Sequence, residues 1–82
     1  MYELIITNTA KEQLKNVPNN IKENIGRALE RIKIRPFKFV KRLTNSKYYR
    51  LRVGFYRVIL DIHTSALIIY VIELGHRSDI YK

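Results

Sequence analysis

Six side chains able to hold or move charge fall in two short stretches. Residues 48–60 read YYRLRVGFYRVIL and carry Arg50, Arg52 and Arg57, and residues 75–81 read GHRSDIY and carry His76, Arg77 and Tyr81. Guanidinium forks make charge-assisted hydrogen bonds to phosphate oxygens. An imidazole titrates near neutrality, and a phenol among cations is biased toward its ionised form. These are the groups needed to hold a phosphodiester and move a proton beside it. The chain has no cysteine, which excludes disulfides and thiolate chemistry, and its two histidines have no acidic cluster around them. No metal and no cofactor are therefore expected.

The arginines pose a geometric question. With Gly54 and Phe55 as the central pair of a tight turn, Val53 lies opposite Tyr56 and Arg52 opposite Arg57. Alternation along the strands then sends Tyr49, Leu51, Val53, Tyr56, Val58 and Leu60 to the core, and Tyr48, Arg50, Arg52 and Arg57 to the outer face. Like charges opposed across a ladder cost about 0.2–1 kcal/mol relative to a neutral pair. Residues 31–60 contain ten of the sixteen lysines and arginines and none of the seven acids, so nothing in this block offsets that cost. A bound anion accounts for the arrangement. Arg77 follows the apolar run LIIYVIEL and Gly75. Counting by two from an even-numbered turn puts it on the core face, whereas an odd-numbered turn near Thr64 or a bulge at Gly75 would send it to join Arg57.

The elements that must position these groups are few. A chain of 82 residues, 46% hydrophobic, accommodates one domain (1–82) with a single core between a sheet and a layer of helices. YELIIT reads as a first strand, and TAKE at 9–12 has capping-box form, with Thr9 as N-cap and Glu12 reaching back. A short helix through Leu14 follows, Pro18-Asn19-Asn20 interrupts it, and Ile21, Ile25, Ala28, Leu29 and Ile32 mark the buried stripe of a second helix. Residues 33–46 read as a basic loop pinned by buried Phe37 and Phe39, the alternative being that these rings stack on bases. Strands are expected at 47–53, 55–63 and 66–74, giving the order β-α-α-β-β-β and an α+β fold with two N-terminal helices on a mainly antiparallel four-stranded sheet. The formal charge of +9 suits a polyanionic partner. No apolar run approaches the ~18–20 residues of a membrane span, and Met1 leads into LII without a basic start or cleavage site, so no membrane association and a cytoplasmic location are expected.

The element order, the hairpin YYRLRVGFYRVIL and the ending ELGHRSDIYK resemble the RelE/ParE superfamily of toxins from toxin–antitoxin pairs, particularly its RelE branch, over essentially the whole chain. The resemblance implies a RelE-like fold and a ribosome-dependent endoribonuclease that cuts messenger RNA in the decoding site and is neutralised by an acidic, RelB-like antitoxin in a higher-order complex. It implies that Arg57 and Arg77 bind the scissile phosphate and that Tyr81 acts as the base. Arg50 and Arg52 match two basic positions that are often lysine in the RelE branch. Arg42 and Lys47 join them as RNA contacts, and His76 is the candidate acid. The reaction implied is metal-free attack of a ribose 2′-hydroxyl. The alternatives are a ParE-type toxin that inhibits DNA gyrase by protein binding, and an RNA-binding module that does not cleave.

Overall fold

The computed structural model describes residues 1–77. In chain order the elements are β1 (Glu3–Ile6), α1 (Asn8–Lys15), α2 (Asn19–Ile34), α3 (Pro36–Phe39), β2 (Lys41–Arg42), β3 (Tyr49–Val53), β4 (Tyr56–His63) and β5 (Ile68–His76). The strands form one sheet in the order β1-β5-β4-β3-β2, with β1 parallel to β5 and every other pair antiparallel. The α+β class and the mainly antiparallel sheet are as expected. The region read as a basic loop differs, because it contains α3 and the two-residue strand β2, which makes three helices and five strands among the described residues. Pro36 begins α3, where its fixed φ suits a first helical position and its missing N–H costs nothing.

Helices α1 and α2 lie on one face of the sheet. Ile25, Ala28, Leu29 and Ile32 of α2 are buried, as their spacing requires, and join Leu51, Val58, Leu60, Ile69, Val71 and Leu74 in one core. Among the described residues, no helix is long and apolar enough to cross a membrane.

Helix α1 starts earlier than the capping-box pattern suggests. Its N-cap is Thr7, whose hydroxyl oxygen accepts from the Ala10 amide at 3.3 Å, while Glu12 is paired with Lys15 at 3.1 Å. Thr7 prevails over Thr9 because it also has a partner in the sheet. Its hydroxyl donates to the Val71 carbonyl at 2.8 Å and lies 3.0 Å from that of Ile72.

That contact belongs to a larger device. Strand β1 pairs with β5 only as far as Ile6 opposite Val71, so beyond that point the edge of β5 has lost its neighbour. Side chains of α1 take over, with Thr7 on the Val71 and Ile72 carbonyls and the Gln13 amide oxygen accepting from the Leu74 N–H at 2.7 Å. On its other side β5 shifts register against β4. Leu60 pairs with Val71 but Ile59 with Glu73, leaving Ile72 as an extra residue. This bulge moves every later residue of β5 by one position.

Candidate functional site

The hairpin between β3 and β4 has the expected register. Val53 lies opposite Tyr56, Arg52 opposite Arg57 and Arg50 opposite Ile59. Gly54 occupies the first central turn position at φ +59, a conformation that glycine adopts without strain. Tyr49, Leu51, Val53, Tyr56, Val58 and Leu60 pack in or against the helix-side core, so Arg50, Arg52 and Arg57 share the opposite face.

The Ile72 bulge brings in the second cluster. Without it Arg57 would pair with Leu74; with it Arg57 pairs with Gly75. Gly75, and with it the phase of Arg77, thereby falls on the Arg57 side of the sheet. The loop between β4 and β5 keeps an even four residues, from Thr64 to Leu67. It is thus the bulge, three residues before Gly75, that reverses the phase. The Arg77 amide donates to the Phe55 carbonyl at 2.7 Å, fastening the end of β5 to the hairpin turn.

The four arginines are not equally placed. Arg77 and Arg52 are exposed and Arg50 is half-buried, whereas Arg57 retains only 4% of its surface. The sequence pattern puts Arg57 on an outward face, and its burial corrects that. Ile59, which lies opposite Arg50, is buried as well, at 5%. Burial holds the Arg57 guanidinium below its usual basicity, and the positive charges of Arg50, Arg52 and Arg77 act in the same direction. The group stays protonated at neutral pH, since guanidinium titrates far higher. Arg50, Arg52 and Arg77 thus concentrate positive charge around Arg57 on one face of the sheet, and a surface of that sign attracts anions.

Strand β2 contributes a residue that the sequence pattern does not place. Lys41 pairs with Arg50, and with Phe39, Arg50 and Arg52 it lines a shallow cleft of about 160 Å³. Only the basic composition of residues 33–46 hints at it, because a two-residue strand has no alternation to read. Phe37 and Phe39 are both exposed, at 49% and 42%, instead of buried. Phe37 rests edge-on against Tyr49 at 5.4 Å.

The remaining candidates lie elsewhere. Arg42 pairs with Tyr49, its guanidinium is 6.0 Å from that ring, and its Nε donates to the Ser46 carbonyl at 3.0 Å. It thus falls in the opposite phase from Arg50. Lys47 is exposed, with its ammonium 5.4 Å from the Tyr48 ring. His76 pairs with Tyr56 and sits between two rings, stacked on Phe55 at 6.2 Å and edge-on to Tyr56 at 5.4 Å. There it lines a cavity of about 350 Å³ that also borders Gln13 and Asn16 of the α1 segment, across the sheet from Arg57. Tyr81 lies outside the described residues. Among the described residues, no group of three or more His, Cys, Asp or Glu side chains could hold a metal.

Comparison with known proteins bears on this arrangement. The family model of the ParE toxin of the type II toxin–antitoxin system parDE matches residues 4–81. No curated protein sequence matches the chain. Among solved structures, a chain of the RelBE2 toxin–antitoxin complex from Mycobacterium tuberculosis superposes with a TM-score of 0.82 at 23% identity, over 93% of this chain and 98% of that one. A chain of the archaeal RelE–RelB complex from Pyrococcus horikoshii gives 0.82 at 24%, over 95% and 97%. One from the RelB–RelE antitoxin–toxin complex of Methanococcus jannaschii gives 0.75 at 27% identity, over 94% of each chain.

Proposed function

Because this chain belongs to the ParE toxin family of type II toxin–antitoxin systems, within the RelE/ParE superfamily, we propose that it is the toxin of a RelBE-type pair and cleaves messenger RNA on the ribosome. The observation that carries this reading is the gathering of Arg50, Arg52 and Arg77 around the sunken Arg57 on one sheet face. In this reading a messenger phosphate sits over Arg57. The adjacent ribose 2′-hydroxyl attacks phosphorus, the P–O bond to the 5′ oxygen of the next nucleotide breaks as that oxygen takes a proton from water to become a 5′-hydroxyl, and a 2′,3′-cyclic phosphate remains. Arg57 and Arg77 balance the charge that grows on the phosphoryl oxygens. Arg50 and Arg52 hold the flanking phosphates, since arginine keeps its proton and is suited to binding and not to acid catalysis. Tyr81 takes the 2′-hydroxyl proton, since positive charge near a phenol favours its ionised form. His76 takes no part in this reading, because its ring lies on the helix side of the sheet. The partner is an acidic, RelB-like antitoxin.

Incubating the protein with programmed ribosomes and mapping the messenger ends tests the proposal. Discrete cuts in the decoding site, lost in Tyr81→Phe with ribosome binding retained, are expected. The family model's own name favours a second reading, a ParE-type toxin that binds DNA gyrase. Intact messenger together with inhibited supercoiling would establish that reading instead.

A further inference from the structure

Phe39 has no role in the reaction described above, yet its setting is unusual. The ring ends α3, is 42% exposed, and stands between two clefts. One is lined besides Phe39 by Lys41, Arg50 and Arg52. The other holds Arg31, Ile34, Arg35 and Lys38, and the Lys38 ammonium lies 5.9 Å from the ring centre. Among the described residues, no acid lines either cleft. Phe39 is thus only partly buried, with cations lining the clefts on both sides of it. The first cleft is continuous with the arginine face: Lys41 pairs with Arg50 in the next strand, and Arg52 pairs with Arg57 in the one beyond. Two strand spacings, roughly 9–10 Å, separate β2 from β4.

From this juxtaposition we infer that Phe39 and Lys41 form a nucleotide subsite in which the base of a residue flanking the scissile phosphate stacks on Phe39 while Lys41, with Arg50 and Arg52, holds its phosphate. The inference rests on the phosphate-binding reading of the arginine face and adds the base to it. A flat aromatic face beside cations on a track of phosphate ligands is the arrangement that binds single-stranded nucleic acid. Every base offers a π face, so the subsite anchors the strand with little sequence preference. An acidic peptide could satisfy the cations, but peptide carboxylates do not require a flat exposed ring at the end of the track.

The full chain is titrated with a short single-stranded ribo-oligonucleotide made uncleavable by 2′-O-methylation, and with its abasic counterpart, by fluorescence anisotropy. The base-bearing strand binds more tightly. Phe39→Ala weakens that strand by roughly 5- to 150-fold, the scale of one lost stacking contact, and leaves the abasic strand unchanged, while Phe39→Trp retains the preference. Lys41→Ala weakens both strands and makes the dependence of log K on log salt shallower by about 0.7. Equal binding of the two strands by the wild-type chain, or no effect of Phe39→Ala, overturns the subsite. So does an acidic amphipathic peptide whose binding, unlike that of RNA, depends on Phe39. Base-dependent binding through Phe39 without messenger cleavage would remove the nuclease reading and leave the subsite standing. Cleavage with a base preference indifferent to Phe39 would do the reverse.

Discussion

Arg57 is buried beside three more exposed arginines, and these neighbours differ from it in what their loss should do. Arg52 stands directly opposite and is exposed, so Arg52→Thr removes the opposed charge and supplies a residue suited to a strand. Stability should rise by about 0.2–1 kcal/mol, which in a domain of this size is roughly 1–8 °C in Tm by calorimetry. RNA binding should weaken at the same time, so a gain in Tm without weaker RNA binding would place the phosphate track elsewhere. Arg57 itself calls for a milder change. Arg57→Lys keeps the charge and most of the stem but loses the planar fork. Single-turnover cleavage on programmed ribosomes should fall by about 10²–10³, the scale of one transition-state donor, with circular dichroism unchanged. A variant that melts much earlier would instead mark the Arg57 fork as a structural tie.

At the scale of elements, the position of Arg77 depends on helix α1. The Ile72 bulge sets the phase of the end of β5, and Thr7 and Gln13 of the α1 segment satisfy the strand edge around that bulge where β1 has ended. Thr7→Val keeps the shape and removes both the helix cap and the donor to the β5 carbonyls. It should destabilise the fold by about 1–3 kcal/mol, the sum of a lost N-cap and a lost hydrogen bond. Thr9→Ala, at the position the capping-box pattern indicates, should stay within about 0.5 kcal/mol, as exposed surface changes do. Urea denaturation compares the two, and equal effects would refute Thr7 as the cap. Gln13→Leu leaves the Leu74 N–H without its side-chain acceptor. It should lower cleavage without altering an RNA-contacting group, because the phase of Arg77 loosens.

For the whole molecule the dominant quantity is charge. A formal +9, with a cationic face made from β2, β3, β4 and the end of β5, sets the terms for both proposed partners. Association with an acidic antitoxin should be fast at low salt and slow steeply as salt screens the long-range attraction. Surface plasmon resonance between about 0.05 and 0.5 M salt reads this directly. An association rate flat across that range would mean that apolar docking, and not the cationic face, drives recognition.

Local sequence determines much of this. Gly54 between two alternating runs fixes the hairpin register, so the pairing of Arg52 with Arg57 and the common face of Arg50, Arg52 and Arg57 are legible in the order of residues alone. The stripe of Ile25, Ala28, Leu29 and Ile32 fixes α2 and its buried side in the same way. Three features are decided only by tertiary structure. Thr7 caps α1 in place of Thr9 because a strand distant in sequence offers its hydroxyl a carbonyl. Lys41 reaches the arginine face because two residues gain strand geometry from β3, too few to carry a pattern of their own. Arg77 falls in phase with Arg57 because β5 bulges at Ile72. A one-residue slip of this kind leaves no mark on composition or periodicity, being set by where β1 ends and what α1 supplies in its place.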